Sequence, residues 1–96
     1  MNSYLLSPRA QLDISEIWDY TAVQWDTDQA ERYVRQIQTA IQTLAHKPLI
    51  GQPCDEIRAG YRKYPAGSHM IFFRLVSSGI EVVRILHKRM DIARRL

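Results

Sequence analysis

Apolar positions recur every three or four residues in the first half of the chain and in an extended, near-alternating pattern in the second. Tyr4-Leu5-Leu6 reads as a short strand closed by Ser7-Pro8. That pair also opens a helix, because Ser7 can accept from the orphan amides and Pro8 suits the first helical position. Ala10, Ile14, Ile17, Trp18, Thr21 and Trp25 then fall on one helical face, with Asp13, Glu16 and Asp19 assigned to the other side. The stretch Trp25-Asp26-Thr27-Asp28 breaks the period. Asp28 followed by Glu31 predicts a capping box for a second helix, whose stripe is Ala30, Tyr33, Val34, Ile37, Ala40, Ile41, Leu44 and Ala45. His46 and Lys47 complement its dipole, and Pro48 ends it. So short a break between the helices predicts an antiparallel hairpin.

Beyond Leu49-Ile50-Gly51-Gln52-Pro53 the pattern predicts strands over residues 57–64, 69–76 and 80–87. Pro65-Ala66-Gly67-Ser68 and Ser77-Ser78-Gly79 separate them. Two short connections predict an antiparallel meander. The last strand is nearly all apolar, as a strand covered on both faces requires, and the N-terminal strand is expected to add to an edge. Residues 88–96 read as a short basic tail with helical potential. The expected architecture is α+β: an N-terminal strand, then an antiparallel two-helix hairpin packed on a small twisted antiparallel sheet with a three-strand meander.

Composition narrows this picture. The 96 residues suit a single domain spanning residues 1–96, with 46% apolar content. Met70-Ile71-Phe72-Phe73 is the longest apolar run, too short to span a bilayer. Met1-Asn2-Ser3-Tyr4 lacks the features of a secretory leader, and a cytoplasmic location is expected. Cys54 stands alone, so neither an internal disulfide nor a multi-cysteine metal site is expected, and no cofactor is implied. The net charge is +3 but unevenly spread. Residues 1–55 hold four cations against seven carboxylates (−3), and residues 56–96 hold nine against three (+6). Ten of the 13 cations are Arg, the residue suited to bidentate pairing with carboxylate or phosphate. The second part of the chain therefore favours an acidic partner.

Five segments in order carry a family resemblance. They are Ser7-Pro8-Arg9-Ala10 with Ile17-Trp18-Asp19-Tyr20; Lys47-Pro48-Leu49-Ile50-Gly51-Gln52-Pro53; Ile57-Arg58-Ala59-Gly60-Tyr61-Arg62; Gly67-Ser68-His69-Met70-Ile71-Phe72-Phe73-Arg74; and Val83-Arg84-Ile85-Leu86-His87-Lys88-Arg89-Met90-Asp91. Together they cover nearly the whole chain and resemble the ParE toxins of the ParE/RelE superfamily. The resemblance implies the toxic component of a type II toxin–antitoxin module, acting on DNA gyrase by protein–protein contact. It also implies neutralisation by a ParD-type antitoxin, a ribbon–helix–helix DNA-binding protein whose C-terminal segment wraps the toxin. The alternative within the superfamily is a RelE-type, ribosome-dependent mRNA endonuclease.

The two branches ask different things of the residues. RNA cleavage needs a general base, a general acid and cations beside the phosphate. Glu81 or Glu56, His87, and Arg62, Arg74 and Arg84 are the candidates. Arg84 and His87 stand three apart in one strand, which a regular pleat sends to opposite faces unless a bulge intervenes or the strand ends early. RelE-type nucleases usually carry a Tyr near the end of this strand, and here no Tyr follows Tyr64. A binding protein instead needs a groove and anchors. Leu12, Tyr20 and Val23, off the main helical stripe, and Tyr64, Met70 and Phe72, on a sheet face expected to be uncovered, are the apolar candidates for antitoxin contact. Arg58, Arg62 and Arg74 are the basic ones. His87, Lys88, Arg89, Arg94 and Arg95 are the candidates for target contact. Direct nucleic-acid binding is not expected, because no aromatic residue interleaves the basic tail.

Overall fold

The computed structural model describes residues 3–96; Met1 and Asn2, part of the stretch read above for a leader, lie outside the described residues. Strand β1 (Ser3–Leu6) leads into helices α1 (Pro8–Gln24) and α2 (Thr27–His46). After a 3₁₀ turn at Pro48–Ile50 come β2 (Gln52–Pro53), β3 (Tyr61–Ala66), β4 (His69–Val76), β5 (Gly79–His87) and a short helix α3 (Ile92–Arg95). No helix among the described residues is long and apolar enough to cross a membrane.

The helices begin for local reasons. Ser7 accepts from the Ala10 amide at 3.0 Å, and Pro8 fills the first position of α1. Asp26, not Asp28, caps α2, accepting from the Gln29 amide at 2.7 Å. The earlier of the two aspartates shortens the hairpin loop and leaves Asp28 in the first turn, where an anion suits the dipole. Trp25 closes α1 instead of extending its buried stripe. With the helix ending at Gln24, its side chain swings out and is 76% exposed.

The sheet has the order β1-β5-β4-β3-β2. The meander is antiparallel as expected, but β1 pairs with β5 in parallel, from Ser3 opposite Gly79 to Leu6 opposite Val82. The sheet is therefore mixed. Nothing in a four-residue edge strand sets its direction; the hairpin that follows it does. Strand β3 begins four residues later than its apolar start suggested. The chain from Cys54 to Gly60 is a folded turn in which the Ile57 and Arg58 amides bond the Cys54 carbonyl and Asp55 accepts from the Gly60 amide. Pro65 and Ala66 belong to β3 and not to the turn. Strand β2 ends before Pro65, so no ladder bond is lost on that side.

The two sheet faces carry separate cores. Ile37, Ile41 and Leu44 of α2 and Ile17 of α1 pack on Ile71, Phe73, Ile80, Val82 and Ile85. On the other face, Phe72, Leu86 and Cys54 form a smaller cluster beneath Ile57, Tyr61, Ile92 and Leu96. That face is not uncovered. The 54–60 turn and the C-terminal segment lie over it, and Phe72 is 0% exposed. Burial, and secondarily Glu56, raises the Cys54 thiol pKa, which keeps it protonated and unreactive.

Candidate functional site

Strand β1 covers only the first half of β5. Beyond Val82 the free edge of β5 faces helix α1, and between them lies a cleft of about 400 Å³. Its lining includes Asp13, Glu16 and Tyr20 of α1, His69 of β4, Arg84 and His87 of β5, and Met90 and Arg95 beyond it.

Asp13 is the residue that answers the open edge. It was assigned to the solvent side, yet it is 93% buried by virtue of standing three residues after Ala10 and four before Ile17, within the inward stripe. One of its oxygens accepts from Arg84 Nε at 2.8 Å and from the Ile85 amide at 2.9 Å; the other accepts from Arg84 Nη2 at 2.9 Å. The Ile85 N–H is a ladder donor that β1 is too short to reach, so a side chain replaces the missing strand. The ion pair leaves the two side chains only 11% and 8% exposed. Arg84 Nη1 donates further to the Arg95 carbonyl at 3.0 Å, tying the C-terminal segment to the same point. The hydrogen bond to Asp13 raises the Arg84 pKa further.

A bulge in β5 immediately precedes Arg84. Phe72 pairs with Arg84 and Phe73 with Val82, so β5 carries one extra residue against β4. Beyond it the register from Arg84 to His87 is regular; both line the cleft because the Arg84 guanidinium reaches round the free strand edge to Asp13.

The floor holds two imidazoles. Tyr33 of α2 accepts from the Ser68 amide at 2.9 Å, and its hydroxyl lies 2.6 Å from His69 Nδ1. Gly67, at φ +59°, makes that turn possible; a Cβ there would meet the Tyr33 ring at 2.6 Å. The rings of His69 and His87 meet edge to face with centroids 5.3 Å apart. Burial, and then the neighbouring His87, lower the His69 pKa to about 4, so it is neutral at physiological pH. His87 Nδ1 accepts from the Arg89 amide at 3.1 Å, the backbone contact of a strand-end histidine.

The other candidates scatter. Leu12, Tyr20 and Val23 stand exposed on α1, Tyr20 at 68% and Val23 at 82%. Tyr64 is half-buried against the main core and Met70 against the smaller one, while Phe72 is enclosed and offers no contact surface. Arg62 is not part of a free basic face, since its guanidinium donates to the Gly51 carbonyl at 2.7 and 3.0 Å. Arg58 lies over the Tyr61 ring, and Arg74 pairs with Glu81 directly across the ladder at 2.7 Å, away from the cleft. Arg94 pairs with Asp91 at 3.6 Å; the Lys88 amide bonds the Ser68 carbonyl. Sequence reasoning missed Asp13, Tyr33 and His69. For Asp13 the signal was its spacing within an apolar stripe, but His69 and Tyr33 meet only through the tertiary fold.

Comparison with known proteins places the chain. The family model for the ParE toxin of type II toxin–antitoxin systems matches residues 4–92. The chain is 56% identical over 94 residues to toxin ParE1 of Mycobacterium tuberculosis, covering 97% of this chain and 96% of that protein. It is 42% identical over 91 residues to toxin ParE1 of Caulobacter vibrioides, covering 95% and 94%. In fold it matches a chain from the chromosomal ParDE toxin–antitoxin system of P. aeruginosa, with a TM-score of 0.80 at 21% identity over 91% of this chain and 96% of that one.

Proposed function

The chain belongs to the ParE toxin family of type II toxin–antitoxin systems, and on that premise we propose that it poisons its target by protein–protein contact and does not cut a nucleic acid. DNA gyrase is the proposed target, and a ParD-type antitoxin is the proposed neutraliser. Both act inside the cell, so a cytoplasmic location goes with this reading.

The use made of Arg84 carries the non-catalytic reading. A phosphoryl-transfer site needs a cation free to meet developing charge. Arg84 instead spends its donors on Asp13 and the Arg95 carbonyl, and Arg74 is held by Glu81. His69, with its pKa near 4, is ill matched to proton transfer at neutral pH.

The antitoxin reading rests on the rim of the cleft. Tyr20 lines the opening, and Val23 follows it on the exposed face of α1. An amphipathic segment laid between α1 and the free edge of β5 would cover them, with Tyr20 as an aromatic anchor. The decisive assay mixes the purified chain with gyrase and, separately, with translating ribosomes. Loss of supercoiling with message left intact is the expected result, and the reverse pattern would overturn the proposal.

One observation favours the ribosome-dependent endonuclease as a second reading: His87 and Arg84 line one cleft. A His87→Ala chain that folds and stays toxic would remove it.

A further inference from the structure

We propose that His69 and His87 form a paired donor site for a carboxylate side chain carried by the neutralising segment of the antitoxin. This rests on the reading that the antitoxin occupies the cleft, and it names the chemistry that the cleft floor recognises.

The argument starts from which ring nitrogens are taken. The Tyr33 hydroxyl accepts from the Ser68 amide and has two acceptors in reach of its proton, the Ala66 carbonyl at 3.4 Å and His69 Nδ1 at 2.6 Å; the much shorter contact takes the proton. His69 Nδ1 then accepts, and the proton of the neutral ring sits on Nε2. The Arg89 amide donates to His87 Nδ1, which puts that ring in the same tautomer. Two Nε2–H donors are thus set by the surrounding backbone and Tyr33, on rings whose centroids lie 5.3 Å apart. Neither Nε2 has an acceptor among the described residues, and neither is sealed from solvent. Both rings line the same cleft.

The chain's own carboxylates do not fill the role. Both Asp13 oxygens are engaged by Arg84 and the Ile85 amide, and Glu16 stands exposed at the rim without a bond to either ring. The other ionisable groups facing the pair are Tyr20 from α1, Tyr33 from α2, Arg84 from β5 and Arg95 beyond it. Lys88 and Arg89 follow His87 directly, within the part of the chain where nine cations outweigh three carboxylates. The floor offers donors, cations follow in the adjoining chain although the lining's own charges balance (Asp13 and Glu16 against Arg84 and Arg95), and the walls formed by Ile17, Ile85, Leu86 and Met90 are apolar. An aspartate or glutamate flanked by apolar residues meets all three conditions.

The test uses the full-length chain and the full-length antitoxin encoded beside it, purified separately, with affinity measured by calorimetry. His87→Leu is expected to weaken binding about tenfold or more. His87→Gln, which keeps an N–H donor, should restore most of that loss. One Asp→Asn or Glu→Gln change in the antitoxin should be non-additive with His87→Leu in a double-mutant cycle. For variants that fold poorly, imidazole ¹⁵N spectra of the wild-type chain give the same answer: both rings Nε2-protonated when free, with their Nε2–H signals displaced in the complex. The proposal is overturned if no acidic residue of the antitoxin couples to His87. Tyr20→Asp separates the levels. If it abolishes binding while the histidine coupling is absent, the cleft stands and the donor pair falls; if it leaves binding unchanged, both fall.

Discussion

The two halves of β5 solve the same problem in different ways. From Gly79 to Val82 the strand is flanked by β1, and main-chain bonds run along both of its edges. From Arg84 to His87 only β4 remains, and a single aspartate from α1 takes the unpaired Ile85 amide and holds a nearly buried arginine. Each half also carries an ion pair. Arg74–Glu81 lies in the first half, with the Arg74 side chain 51% exposed, whereas Arg84–Asp13 is enclosed. The difference teaches that a strand edge left without a partner is where this small fold puts its charged chemistry. Backbone closes one half, and side chains, which can be exchanged, close the other.

Four measurements would break or sharpen that contrast. The largest effect is expected from Asp13→Ala, which strands a buried guanidinium and leaves the Ile85 amide unpaired. Its cost is about 3–5 kcal/mol in urea unfolding. Asp13→Leu combined with Arg84→Met should recover most of that, because removing both charges removes the desolvation cost; a double variant as unstable as the single one would mean the pair is irreplaceable. Second is Gly79→Ala in the covered half. At φ +151° its Cβ would run into the Ser3 carbonyl, so β1 must detach locally, at roughly 2 kcal/mol. Hydrogen exchange that speeds up at Ser3 and Ser7 but not at Ile85 would confirm that the halves are independent.

Third is acid. The His69 pKa is lowered in the fold from 6.5 to about 4, so the unfolded chain binds more protons between those values. Stability from this source is present above pH 6.5 and is lost as pH falls toward 4. With solvent access to the cleft discounted, the loss is roughly 1–2 kcal/mol. His69→Gln should flatten this part of the urea midpoint against pH, and an unchanged slope would reject the assignment. Smallest is Glu81→Gln, where partial exposure should hold the loss below about 1 kcal/mol. A larger loss would erase the distinction between the two ion pairs.

How much of this was legible follows from the range of the interactions. The helix hairpin is written in a local period, and Ser7-Pro8 marks its start without help from the rest of the chain. The strand 69–76 and the near-complete outline of the last strand follow from their turns. The elements that failed depend on distant partners. Ile57 has the apolar character of a strand residue but spends it over the second sheet face, so β3 begins late. Trp25 continues a stripe that its own helix does not reach. The cleft was legible in Tyr20 at its rim, in Arg84 and His87 on the strand, and in Arg95 of the tail. Its floor is assembled from Tyr33 and His69, 36 positions apart, and its closing bond joins Asp13 to Arg84, 71 apart. No local pattern encodes such pairs.

The bulge has one more consequence. Val82 and Ile85 feed the helix-side core, and Val83 and Leu86 feed the other, so the inward and outward sets on either side of Arg84 already mesh as though it were absent. Counted by facing, and not by the ladder (where Arg84 pairs with Phe72 and Val83 is passed over), the arginine is the residue outside the alternation. Excising it, with Asp13 replaced by an apolar residue, would leave an unbroken alternation and two intact hydrophobic layers. The strand thus holds an interchangeable slot, in which the character of the cleft can be rewritten without repacking the body that carries it.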